Sequence, residues 1–218
     1  MIQLRFAVIA DTFATMVRTA IQENIDLIHT CHALLLLGDL PAQAYPALRE
    51  EFQLPMRGLC VLGNHDGEHW SDWLPRYQFE HLHLNLAAMR KDGREFIFGG
   101  FSGSERYKPD GHWQWDNRTA ENLLANLAPC DILLTHTAPE PPPDYPADNR
   151  HSGLPALGGY IDKHQPKLAL HGHFHQTFQQ QRGETVILGC YGVVLLDCTI
   201  DGDSWQIQWK ELNVPPWN

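Results

Sequence analysis

Five short apolar runs in this chain each stop at a residue able to hold a metal or move a proton. "LRFAVIA" stops at Asp11, "ALLLLG" at Asp39, and "GLCVLG" at Asn64, His65 and Asp66. "DILLT" stops at His136, and "LALHG" at His173 and His175. A continuous apolar run of this length is expected of a strand covered on both faces. Helical spacing separates several of them. Met16, Val17, Ala20, Ile21, Ile25 and Ile28 recur on one face, and "PALREEF", "DNRTAENLLANLA" and "GLPALGGYIDKH" also read as helices. "LHLNLA" and "EFIFGGF" read as further strands. After residue 176, "TFQQQ", "ETVILGCYG", "VVLLDCTI" and "SWQIQWKEL" read as consecutive strands joined by short turns. The expectation is an α/β fold in one domain, residues 1–218, with two packed sheets and helices outside.

Composition narrows the function. The net charge of −10 argues against long nucleic acid, whose affinity comes mostly from Lys and Arg on phosphates. A small phosphorylated substrate fits, because bound cations reverse the local field. No apolar run approaches the ~20 residues of a membrane span, and the N-terminus reads as a strand rather than a signal peptide. Five cysteines without a CxxC read as reduced thiols in a cytoplasmic protein. Thirteen histidines, several of them clustered, are the unusual feature.

In open α/β sheets, ligands gather outside the carboxyl ends of strands. Here those ends offer two carboxylates, an amide with an imidazole, a lone imidazole, and a pair of imidazoles. Aspartate can bridge two cations, and neutral imidazole suits Zn, Fe or Mn. Gly38, Gly63 and Gly172 each precede a proposed ligand, where a side chain would crowd the turn. A GD dipeptide alone is a turn, and an HxH alone is weak. Their order and placement together carry the signal.

The blocks "DTF", "GDLP", "GNHD", "THTAP" and "GHFH" resemble the calcineurin-like metallophosphoesterases, whose pattern runs DxH, GDxx, GNH plus an acid, a lone His, and GHxH. "GGFSGSERY" and "DNRHSGLPALGGYIDKHQPKLALHGHFH" resemble a small Icc-like branch. The resemblance implies a mixed β-sandwich of two sheets flanked by helices, in four αββα layers. It implies that Asp39 bridges two divalent ions, Mn²⁺ before Fe, Zn or Mg. Asn64, His136 and His173 would complete one site, Asp11 and His175 the other. His65 would protonate the leaving oxygen of a phosphate mono- or diester, with Asn64 also touching substrate.

Phe13 stands where the family has the His of DxH. That leaves the Asp11 site with two carboxylates and one nitrogen, a harder set that favours Mn²⁺ or Mg²⁺ over Zn²⁺. His69, His112, His151 and His171 are spare imidazoles near the motifs. Arg106 offers a bidentate fork to phosphate, Tyr107 lies beside it, and "HWQWD" could wall the site with aromatic rings. The competing reading is a degenerate member kept as a binding or scaffold protein. Mn²⁺ titration should show one firm site (Asp39, Asn64, His136, His173) and one labile site. Metal analysis giving two equally tight ions would contradict this.

Overall fold

The first apolar run forms β1 (Ile2–Ala10), and its two faces enter different cores. The computed structural model describes residues 1–146, 148 and 150–212. Leu4, Phe6, Val8 and Ala10 point into the space between two six-stranded sheets. Ala7 and Ile9 point the other way, toward α1 (Thr15–Glu23) and α2 (Ile25–Ile28). This period-two alternation of two apolar sets explains why the inner part of the strand, residues 6–10, carries no polar residue.

Sheet I contains β1, β2 (Ala33–Leu36), β3 (Arg57–Cys60), β4 (Phe79–His81), β13 (Gly192–Asp201) and β14 (Ser204–Glu211), in the order β14-β13-β1-β2-β3-β4. Strands β1 to β4 run parallel, and β13 closes the far side antiparallel to β1. Two short helices, α3 (Ala44–Pro46) and α4 (Trp70–Trp73), add Tyr45, Trp70 and Trp73 to its outer core. Sheet II contains β5 (Leu86–Lys91), β6 (Arg94–Phe101), β9 (Ile132–Thr135), β10 (Leu168–His171), β11 (Phe178–Arg182) and β12 (Thr185–Gly189), in the order β11-β12-β10-β9-β6-β5. The intervening β7 (Ser104–Glu105) and β8 (Gln114–Trp115) form a small ladder of their own. The outer face of sheet II packs on α5 (Asn117–Leu124) and α6 (Pro155–His164) through Leu124, Leu157, Tyr160 and Ile161. The result is the expected four layers, helices on sheet on sheet on helices. Asp116 caps α5 by accepting the Thr119 N–H (2.9 Å).

Two expected elements are divided, for one reason. "LHLNLA" is not a single strand: residues 82–85 turn the chain from β4 in sheet I to β5 in sheet II, with Leu84 in a left-handed conformation (φ 55°). The C-terminal meander is likewise two hairpins. β11 and β12 pair in sheet II, whereas β13 and β14 pair in sheet I. In both places the chain crosses between sheets, and one ladder cannot continue. The helix expected over Met16–Ile28 also breaks at Asn24, whose side-chain amide donates to Ala20 O (2.8 Å).

Phe13 belongs to the outer core of sheet I. Its ring meets Phe52 edge to face, with centroids 6.4 Å apart, and Arg18 lies 5.6 Å above it. The side chain is buried there with Val17, Ala20 and Ile21. Phe13→Ala should therefore destabilise the fold by about 3–5 kcal/mol, as buried Phe truncations do, while leaving Mn²⁺ binding in place. A urea midpoint measured beside a Mn²⁺ titration checks both halves.

Candidate metal centre

The carboxyl ends of β1, β2 and β3 in sheet I face those of β9 and β10 in sheet II. Asp11 follows β1, Asp39 lies three residues beyond β2, and Asn64 four beyond β3. His136 follows β9 directly, and His173 and His175 follow β10. Asp11, Asp39, His173 and His175 all sit at positive φ, between 53° and 70°. Such a conformation is uncommon outside glycine and is tolerated where surroundings over-determine it.

Hydrogen bonds supply that determination. Asp11 N–H donates to Gly38 O (3.1 Å), and the Asp11 carboxylate accepts His173 N–H (2.9 and 3.0 Å). Asp39 accepts His65 N–H (2.8 Å). Asp66 accepts the N–H groups of Asp39 (3.0 Å) and Gly63 (2.7 Å), so it ties the second and third strand ends together. Glycine is required at two close approaches. A Cβ on Gly172 would lie 2.8 Å from Asp11 Oδ2, and one on Gly63 would overlap Asp39 Oδ1.

His136 is fully buried and anchors the cluster. Its Nδ1–H donates to Leu37 O (2.7 Å), which leaves Nε2 toward Asn64 Oδ1 (3.1 Å) and Asp39 Oδ2 (3.4 Å). Asp11 Oδ1 lies 4.0 Å from Nδ1. Ligand atoms of Asp11, Asp39 and His136 all fall within 4.8 Å of one another. Donor atoms ~3 Å apart suit a shared ion at the ~2.0–2.2 Å of imidazole and carboxylate ligands. Electrostatics agree. Burial pushes Asp11 up to about 7, with the Asp39 charge adding to it, and burial pushes Asp66 up to about 7. Burial alone would lower His136, but Asp39 and Asp11 outweigh it and push it up to about 10. The Asp39 carboxyl moves down despite its burial, because His136 stands beside it. Three buried carboxylates around one imidazolium leave excess negative charge, and this donor set fits divalent cations.

His173 Nε2 donates to Arg150 O (2.9 Å) and lies 3.3 Å from Glu105 Oε1, so Nδ1 is the nitrogen it could offer a metal. Its ring is 5.0 Å from that of His136. Glu105 is a buried residue that the sequence reading missed. It accepts Thr137 Oγ1–H (2.9 Å) and Gly153 N–H (3.0 Å); burial would raise its pKa, but His173 foremost, with the Gly153 bond, holds it below the usual value. A carboxylate behind a ligating imidazole fixes its tautomer. Extended chain alternates its faces, so Glu105 turns in where Arg106 turns out. That alternation, in the "GSERY" segment, was the available signal.

Asp39, Asn64, His65, His173 and His175 line a cavity of about 1080 Å³, with Asp11 and His136 outside its lining. Tyr107 also lines it and accepts Asn64 Nδ2–H (2.9 Å). Arg106 does not: it is exposed, and its guanidinium donates to Gln114 O (3.0 Å). Phe13 is likewise outside the lining. Trp113 and Trp115 pack on His83, with centroids 5.3 and 5.7 Å away, rather than on the cavity. His112 is exposed 3.7 Å from Glu68, whereas His171 is buried among Phe174 and Phe178. His69 is exposed and His151 lines the cavity.

A mixed two-sheet sandwich with carboxylates and imidazoles gathered at its strand ends has the architecture of a metallohydrolase. The family model for calcineurin-like phosphoesterases matches residues 4–177, and the chain belongs to that family. A comparison with curated proteins gives no significant match. Among solved structures, the fold is similar to the TT1561 protein of Thermus thermophilus (TM-score 0.63, 16% identity, 95% of this chain and 99% of that one). It is similar to GAP50, described as the anchor in the inner membrane complex of Plasmodium (0.64, 12%, 99% and 90%). It is also similar to the phosphopantetheinyl hydrolase of Mycobacterium tuberculosis (0.60, 11%, 87% and 90%).

The strand end carrying Asn64 is braced from behind. Ser102 Oγ accepts Leu62 N–H (2.9 Å) and bonds His81 Nε2 (2.8 Å), and His83 Nδ1 accepts Ser102 N–H (3.0 Å). Burial pushes His81 and His83 down to about 4, the charge of His81 adding to the effect on His83. Unfolded imidazole titrates near ~6.5. Between those values the unfolded chain binds protons that the folded one refuses. Their contribution is thus complete above ~6.5 and is lost as the pH falls toward 4. Urea midpoints across this window should fall, and the fall should be shallower in His83→Asn.

Proposed function

We propose that this protein is a metal-dependent phosphoesterase that hydrolyses a small phosphate mono- or diester. The carrying observation is that Asn64 and Asp39, both lining the cavity, lie 3.1 and 3.4 Å from Nε2 of the buried His136. Asp39, Asn64, His136 and His173 would hold one divalent ion, and Asp11 and His175 would join Asp39 around a second, more weakly bound. Mn²⁺ suits this mixture of oxygen and nitrogen donors. Bound there, divalent ions would offset the charge of the phosphoryl oxygens and acidify water as a nucleophile.

The chain's own residues do the rest. His65 is exposed and lines the cavity, and its backbone N–H is pinned to the Asp39 carboxylate, which keeps its imidazole beside the candidate metal ligands. It can give a proton to the leaving oxygen as the ester bond breaks, a role that typically contributes ~10²–10⁴ in rate. Asn64 turns its amide oxygen to His136 and its amide N–H to Tyr107, so Tyr107 orients a ligand group. Lys108 and Arg150 in the wall attract an anion to a chain of net charge −10. Tyr145 and Tyr191 give the organic part of the ester an apolar surface. We place this activity in the cytoplasm, in one catalytic domain spanning residues 1–218.

Phe13 favours a second reading, a binding or scaffold role with hydrolysis reduced or lost, and the fold is shared with a protein described as an anchor. Against it stand His65 and the intact set around His136, which a scaffold has no physical need to keep. Hydrolysis of bis-p-nitrophenyl phosphate and p-nitrophenyl phosphate with Mn²⁺ separates the two. The wild type should turn over at least one of them, and His65→Ala should lower kcat by ~10²–10⁴. Rates that His65→Ala leaves unchanged would sink the enzyme reading.

A further inference from the structure

Tyr145, Pro146, Asp148, Arg150 and His151, from the segment between β9 and α6, line the cavity, and the segment is pinned at three points. Leu154 N–H donates to Ala138 O (2.8 Å) and closes its ends. Arg150 O accepts His173 Nε2–H (2.9 Å), and Gly153 N–H donates to Glu105 (3.0 Å). His151 lies between those last two anchors, so its backbone is held on both sides against the metal centre. Ala147 and Asn149 of the segment lie outside the described residues.

The His151 side chain is held as well. Nδ1–H donates to Asp148 Oδ2 (2.8 Å), and Arg150 N–H donates to Asp148 Oδ1 (2.8 Å). That bond fixes the tautomer and leaves Nε2 with its lone pair. The ring is 19% exposed and lines the cavity. Its centroid lies 4.8 Å from that of His173 and 5.9 Å from that of His175. Nε2 has no hydrogen-bond partner among the described residues, and an imidazole with one nitrogen held by a carboxylate and the other open, beside other imidazoles, is the arrangement metal-ligating histidines adopt. Phe13, meanwhile, is committed to the hydrophobic core and offers nothing to the site.

We propose that His151 gives its Nε2 to a divalent cation held beside His175, supplying from the long loop the nitrogen that Phe13 does not. Asp148 is then the positioning carboxylate for that ligand. The proposal rests on the metal-dependent reading above, and it makes the loop part of the metal centre as well as its wall.

The test uses metal-free full-length protein titrated with Mn²⁺ by calorimetry, with ¹⁴N couplings to the bound ions read by electron spin echo spectroscopy. In His151→Ala the weaker-bound ion should lose roughly tenfold or more in affinity, with Asp148→Asn producing a smaller loss. The ¹⁴N couplings should fall by one nitrogen, and the melting midpoint of the metal-free protein should not move. His151→Gln, which preserves bulk, should lose the same coupling. Unchanged affinity and unchanged coupling in both His151 variants overturn the proposal. Tight binding of the firmer Mn²⁺ ion that survives His136→Ala would count against the phosphoesterase reading itself and take this proposal with it.

Discussion

His136 donates its Nδ1–H to the Leu37 carbonyl (2.7 Å) across the seam between the two sheets. That bond, together with His173 N–H on the Asp11 carboxylate (2.9 Å), joins sheet II to sheet I at the end where both sets of parallel strands terminate. The apolar inter-sheet core brings the sheets together, and these polar contacts help fix their relative register at the site. They also make charge burial tolerable. Unpaired buried carboxylates are costly, and here each is met by backbone N–H groups or by an imidazole.

The cost appears in the backbone. Four residues of the candidate site, Asp11, Asp39, His173 and His175, are held in left-handed conformations, each just beyond a strand or in the GHxH turn. Rigid, doubly covered sheets can bear this strain, because their interiors do not yield. Behind the centre, Ser102 and the two stacked imidazoles of His81 and His83 support the end of β3. Beside it, Glu105 links three segments, the turn after β6, the Thr137 position after β9 and the loop end at Gly153. The active surface is thus a thin layer of polar groups carried on two hydrophobic sheets and locked from two sides.

Much of this was legible from sequence. The strands around Asp11, Asp39, Asn64, His136 and His173 could be read because a strand buried on both faces must be apolar throughout, and a polar stop then marks its end. The residues that were not legible depend on contacts far apart in the chain. Glu105 sits in a short polar segment where face alternation is the one local signal, and its importance comes from Thr137 and Gly153, 32 and 48 positions away. Arg106, its neighbour, carries the more suggestive side chain and faces outward. "LHLNLA" has the composition of one strand, yet the chain leaves one sheet for the other within it, and nothing local distinguishes that crossing from continued pairing.

The amino-acid sequence by itself determined which residues stand at strand ends, because hydrophobic runs of fixed length leave little choice of where a strand stops. It also determined the kinds of donor available there, oxygen from aspartate and asparagine and nitrogen from histidine. Only the tertiary structure decided which of those donors meet, because their distances are set by how two sheets pack and not by spacing along the chain. It decided that the Phe13 ring turns into the helix-covered core beside Phe52, and that His151 comes to rest against His173 on a loop pinned at both flanks. The physical reason is the same in both cases. A side chain goes where burial and hydrogen bonding across the fold are jointly satisfied, and those partners lie in other strands.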